Sequence, residues 1–216
     1  MTPFIVVVVH PKGGSGKTST VISLATGLSK VCSLSLLDMD KAQKHTTLFV
    51  SNRKDKENKD LNLLHVKSKE EFDKLARSDR GGIILVDLGG YDSGLNRDIL
   101  SYADIAITPM SDSDFDVAGA LSFENVMNEI REVRDDLVSH ILLIKLHHRD
   151  SKTREALVDQ IKDKDAFNVL KSTISQRAAY KKTLYSGKSV DEILPGSLAA
   201  QEIENLVKEV KGLIDG

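Results

Sequence analysis

The stretch Lys12-Gly13-Gly14-Ser15-Gly16-Lys17-Thr18 has the residue types needed to hold a polyanion. Backbone N–H groups in a loop between a strand and a helix converge on phosphate oxygens, and the helix dipole adds positive potential there. Gly13, Gly14 and Gly16 let the main chain approach closely, and Ser15 and Ser19 complete the candidate binding set. Lys17 can reach the terminal phosphates of ATP, and the Thr18 hydroxyl is placed to ligate Mg²⁺. The ordinary phosphate-loop pattern puts a glycine at the position occupied here by Pro11, so this is a variant of that pattern. Lys12 is an additional cation, and a second ammonium near the γ-phosphate would stabilise the charge that spreads during phosphoryl transfer.

Three acids suit the same chemistry. Asp38 and Asp40 close the run Leu36-Leu37-Asp38-Met39-Asp40, and Asp87 closes Ile83-Ile84-Leu85-Val86-Asp87. Acids at the ends of buried strands project from the carboxyl edge of a sheet, where ligands of α/β folds bind. They also serve as helix N-caps, and that alternative stays open for Asp38 and Asp87. Gly89-Gly90, after Asp87, fits either a tight turn or a loop that moves with the γ-phosphate.

These residues need a scaffold, and the hydrophobic pattern supplies one. Ile5 to Val9 is a continuous β-branched run, as in a strand buried on both faces. Further strands are expected near 33–38, 61–66, 83–87, 104–108, 141–146 and 167–174. Apolar spacing of three and four places helices at 17–30, 69–77, 116–137, 153–163 and 199–214. The alternation predicts an α/β fold, a doubly wound, mostly parallel sheet with helices on both faces, in a single domain spanning 1–216. Residues 51–60 contain four basic and three acidic side chains and no apolar one, the pattern of a solvated loop.

With its lysine at position 12, the loop resembles that of the deviant Walker-A ATPases, the family of ParA partition proteins, MinD and the nitrogenase iron protein. The resemblance implies a P-loop NTPase fold and hydrolysis of ATP with Mg²⁺. It makes Lys12 the signature lysine that crosses an ATP-dependent homodimer to the partner's phosphates. Lys12, Lys17 and Asp40 become the catalytic set, with Asp40 positioning water. Thr18, Asp38 and Asp87 become the metal set. Asp40-Lys41-Ala42-Gln43 departs from the family, which continues directly with Pro-Gln.

Over the rest of the chain the resemblance is to small ParA proteins of the plasmid ParF type, through Thr108-Pro109, Asp114-Phe115-Asp116, Ile174-Ser175-Gln176-Arg177 and Gly187-Lys188-Ser189-Val190. It implies a DNA-partition ATPase with a centromere-binding adaptor of the ParB or ParG kind, cytoplasmic and nucleoid-associated when ATP is bound. Asp116 reads either as the acid after the family's proline loop or as the N-cap of a helix from Val117. Between Lys171 and Lys188 lie five basic residues and no acid. Lys171, Arg177, Lys181 and Lys182 are therefore candidates for non-specific DNA contact.

A net charge of −2 argues against an obligate nucleic-acid coat, so any DNA contact is expected to be local. The single Cys32 supports a cytoplasmic location and cannot supply a shared redox cluster. No run approaches the roughly 20 apolar residues of a membrane span. A membrane switch of the MinD kind is the runner-up. It would need the last helix to lie on lipid, which the acids Glu202, Glu204 and Glu209 on its polar side disfavour. A scaffold that assembles on ATP with little hydrolysis is a further alternative. His147-His148-Arg149, after an apolar strand, is expected to form a polar loop near the nucleotide base; the family grips the base with loops after late strands, which implies a part for Lys145 to Asp150 and for the region near Pro195.

Overall fold

The computed structural model describes residues 1–40, 43–54, 61–90, 93–147 and 151–216. Seven strands form one parallel sheet: β1 (Phe4–Val9), β2 (Leu34–Asp38), β3 (Asn62–Leu64), β4 (Ile83–Leu88), β5 (Ile105–Met110), β6 (Ser139–Leu146) and β7 (Phe167–Ser175). Their order is β3-β2-β4-β1-β5-β6-β7, so the strand that feeds the phosphate loop lies in the middle. Successive residues of β1 point to opposite faces. Ile5, Val7 and Val9 enter one core and Val6 and Val8 the other, and none of the five is appreciably exposed. A strand walled on both sides in this way requires the unbroken apolar run seen in the sequence.

Helices α1 (Lys17–Leu28), α2 (His45–Lys54) and the C-terminal helix close one face. α3 (Lys69–Ala76), α4 (Gly94–Ser101), α5 (Asp114–Arg131) and α6 (Ser151–Asp159) close the other. The doubly wound architecture is as expected. A 3₁₀ turn (Ala178–Lys182), α7 (Thr183–Ser186) and α8 (Val190–Ile193) lead into α9 (Leu198–Asp215).

Three local expectations are corrected. Helix α5 starts at Asp114 behind Ser113, so Asp116 lies within the first turn and is not the N-cap. The charged stretch from Ser51 is not all solvated loop: residues 51–54 finish α2, and 55–60 lie outside the described residues. Arg53 is only 3% exposed, because its guanidinium donates to both carboxylate oxygens of Glu192 (2.8 and 2.7 Å) and to the Gly187 carbonyl (3.0 Å). A β-carbon at Gly187 would lie 2.6 Å from the Arg53 backbone nitrogen, so this contact needs a glycine. Charge composition marks the segment as polar but cannot show that a distant carboxylate makes burial of an arginine tolerable.

The acids of α9 are also used differently from the expectation. Glu209 accepts the backbone N–H groups of Lys171 and Ser172, and Glu202 accepts that of Ser175. These two cover part of the open edge of β7, which would otherwise present unpaired donors, while Glu204 stays exposed.

Arg53→Met is expected to lower the unfolding free energy by about 3 kcal/mol, since it strands a half-buried Glu192 carboxylate. Urea midpoints read this. A loss no larger than that of an exposed arginine would show that the pair does not anchor α2.

Candidate functional site

The phosphate loop leaves β1 through the buried His10 and enters α1 at Gly16. Lys12 N–H donates to His10 Nδ1 at 3.0 Å, which leaves the proton on Nε2 to donate to the Asp116 carbonyl at 3.1 Å. Burial lowers the His10 pKa, consistent with this neutral form. Gly16 is left-handed (φ 85°), a backbone that favours glycine, and a β-carbon there would have to displace the Ile144 Cδ1 methyl 2.4 Å away. It caps α1 without any side-chain hydrogen bond, which leaves the first-turn N–H groups for an anion. Ser15 Oγ, fully buried, lacks a hydrogen-bond partner.

Lys17 is 7% exposed and donates to the Lys12 carbonyl at 3.0 Å. Burial lowers its pKa, partly opposed by the charges of Asp87, Asp40 and Asp116. Asp87 is buried deeper still. Its Oδ2 accepts from the Thr18 hydroxyl (2.9 Å) and the Thr46 hydroxyl (2.7 Å), while Oδ1 has no partner. Asp38 Oδ2 accepts the N–H and hydroxyl of Thr47, both at 2.8 Å, and Asp38 Oδ1 accepts Asp40 N–H at 3.1 Å. A β-carbon at Gly89 would come within 2.9 Å of Asp40 Cα, so the glycine after the β4 acid lets the two acidic loops touch.

A polar hollow of about 360 Å³ opens over the loop, lined by its glycines, Lys17, Thr18, Ser19, Asp40, Gln43, His45, Gly89 and Lys145; Asp87 lies buried outside this lining, and Asp38 lines a neighbouring hollow with Lys44 and His65. An adjoining, more apolar hollow of about 150 Å³ is lined by Ile144, Ile174, Gln176, Arg177 and Tyr180. A nucleotide laid across both would have its phosphates on the loop and its base against Ile144, Ile174 and Tyr180. Of the expected base-side stretch 145–150, Lys145 lines this apolar hollow. Pro195 is absent from this lining among the described residues, His147 is exposed just beyond β6, and His148 and Arg149 lie outside the described residues.

The donor set fits a divalent cation. Asp87 is a buried carboxylate with one oxygen unused and the Thr18 hydroxyl on the other, and Asp38 ends the neighbouring strand in register with it. Thr18, Asp87 and Asp38 would hold Mg²⁺, which when bound would supply positive charge to the phosphate oxygens.

Lys12 itself turns away from the hollow. Its ammonium binds Asp116 Oδ1 at 2.9 Å and sits 5.2 Å above the ring of Phe115, which is 75% exposed. Asp116 is held in turn by the Ser111 hydroxyl at 2.6 Å. Ser111, Thr46 and Thr47 carry no motif, and only their tertiary neighbours mark them as part of the site.

The basic candidates are dispersed. Lys171 is exposed on the edge strand β7, and Lys181 and Lys182 are exposed on the 3₁₀ turn. Arg177 pairs with Glu202 at 2.6 Å beside the apolar hollow. The stretch without acids in sequence thus acquires acids from α9.

Residues 4–161, well over half of the chain, match the family model described as ATPase MipZ. The chain belongs to this ATPase family. It is 24% identical over 212 residues to maintenance of carboxysome distribution protein A of Halothiobacillus neapolitanus, covering 96% of each chain. It is also 24% identical over 213 residues to protein ParA of Rhizobium radiobacter, covering 93% of this chain and 91% of that one. A plasmid partition protein of Borrelia burgdorferi B31, solved with AMPPNP, shares the fold with a TM-score of 0.71 at 20% identity, covering 97% of this chain and 99% of the other. The protein is an ATPase of the ParA/MinD kind with the P-loop fold that its loop implied. No helix among the described residues is long and apolar enough to cross a membrane.

Burial pushes the Asp87 carboxyl up to about 6 from 3.8, outweighing its hydrogen bonds to Thr46 and Thr18. A folded-state pKa above the unfolded value means that ionisation weakens the fold, so this contribution is lost as pH rises from about 4 to about 6. Nucleotide-free Asp87→Asn should match the wild type near pH 4 and exceed its unfolding free energy by about 3 kcal/mol at pH 7. Parallel pH profiles for the two proteins would refute the strained carboxylate.

Proposed function

We propose that this ATPase is a DNA-partition switch: ATP closes a homodimer that retains DNA non-specifically, and hydrolysis stimulated by a centromere-binding adaptor releases it. The observation that carries the reading is the position of α2. At one end Thr46 and Thr47 hold Asp87 and Asp38; at the other Asn52 donates to the Leu184 carbonyl, and Arg53 binds Gly187 and Glu192. One short helix therefore connects the nucleotide carboxylates to the segment that follows Lys181 and Lys182. A shift of α2 with the γ-phosphate would move that basic segment, which gives nucleotide state a physical route to DNA affinity.

Lys12 supplies the dimer step. Its side chain is 42% exposed and bound to a group outside the polar hollow, so it is available to exchange Asp116 for phosphate oxygens bound by a second copy. Lys17 neutralises the phosphates in its own subunit, Asp40 orients water, and Thr18, Asp38 and Asp87 hold Mg²⁺. The named relatives support a positioning role: one maintains carboxysome distribution and another is a ParA. DNA as the track rests on the exposed lysines, whose contacts would be to phosphates and sensitive to salt.

Lys12→Ala should bind ATP yet stay monomeric by light scattering, and ATP-driven dimers of this variant would remove the sandwich. Asp40→Ala should dimerise on ATP without releasing phosphate. With both Lys181 and Lys182 changed to Glu, ATP-dependent DNA retention should fall at least tenfold at moderate salt with ATP affinity unchanged, and the salt slope should flatten by about two. Retention equal to wild type would place the DNA surface elsewhere.

A further inference from the structure

Strand β6 breaks the alternation of the sheet at its end. Leu143 belongs to one core and Ile144 to the other, yet Leu146 returns to the core of Leu143. Pairing with β7 shifts register between Ile144 and Leu146, so Lys145 is the inserted residue of a bulge. It has φ 58°, a left-handed conformation that glycine takes freely and a lysine takes at a cost. Bulges beside active sites re-aim side chains, and strained positions concentrate where a side chain is used. Here the bulge sends the exposed Lys145 ammonium to the Gly14 carbonyl of the phosphate loop, 2.6 Å away.

Lys145 lines both hollows, together with Gly16 and Ser19. Those three residues form the border between the polar hollow, where Lys17 and Thr18 face the terminal phosphates, and the apolar one beside Tyr180. The part of a nucleotide that crosses this border is the phosphate attached to the ribose. We propose that Lys145 is a nucleotide-binding residue that exchanges the Gly14 carbonyl for the α-phosphate. An ammonium gains more from an anionic oxygen than from a neutral carbonyl, so the exchange is downhill once nucleotide arrives. The cation comes from the subunit's own β6 and is separate from Lys12 and Lys17. The proposal depends only on nucleotide binding, and failure of the DNA reading would leave it standing.

Lys145→Gly separates the two properties of the position, because it relieves the backbone and removes the charge. The nucleotide-free variant should melt at or above the wild-type temperature. Its affinity for MgATP and for MgADP, by calorimetry, should fall about tenfold for both alike, the size of one charge-assisted hydrogen bond. Lys145→Met should show the same loss of affinity and melt below Lys145→Gly, since it keeps the backbone cost, and Lys145→Arg should keep affinity within about threefold of wild type. Wild-type affinity in the Gly and Met variants would overturn the proposal and leave Lys145 as a tie across the loop. A loss confined to MgATP would overturn it as well, since the contact would then be with the γ-phosphate.

Discussion

At the carboxyl edge of the sheet, the protein buries a carboxylate that it does not fully satisfy. Asp87 has one oxygen bound by two threonine hydroxyls and the other bound by nothing. Burial raises its pKa against the opposing hydrogen bonds of Thr46 and Thr18 and the charge of Lys17, so further positive charge at this carboxylate would be stabilising. The two hydroxyls come from different helices, Thr18 from α1 and Thr46 from α2. The phosphate loop and α2 therefore meet on a single atom, and whatever changes the charge at Asp87 is felt by both.

This convergence explains why α2 is built as it is. A helix whose first turn serves the nucleotide end and whose last turn ends in a buried ion pair cannot move at one end alone. Arg53 and Glu192 hold the far end firmly because the buried guanidinium cannot be left without its half-buried carboxylate. The Lys12–Asp116 contact has a different character. Asp116 is buried, whereas Lys12 is half exposed and leans on an exposed aromatic ring, so solvent and other anions can compete for it.

Much of the site was legible in the chain. Lys12 to Ser19, Asp38, Asp40 and Asp87 were identifiable because phosphate cradling needs glycines between a buried strand and a helix, and because acids at strand ends all emerge at one edge of a parallel sheet. Asp116 was recognised as an acid of interest, but its role as the partner of Lys12 was not, since the two are 104 residues apart. Thr46, Thr47 and Ser111 carry no pattern at all. A hydroxyl acquires meaning only from the carboxylate opposite it.

The sequence by itself determined the doubly wound parallel sheet, the burial of β1 on both faces and the phosphate loop, because hydrophobic periodicity and glycine placement are local consequences of burial and backbone sterics. Only the tertiary structure decided how charges are paired. Residues 171–188 contain no acid, yet α9 supplies Glu202 to Arg177 and Glu209 to the edge of β7. Arg53 reads as solvated and is buried, and Lys145 reads as part of a strand and is a bulge against the loop. Electrostatic partners are chosen by distance in space, and that distance is fixed only after the sheet has ordered its strands.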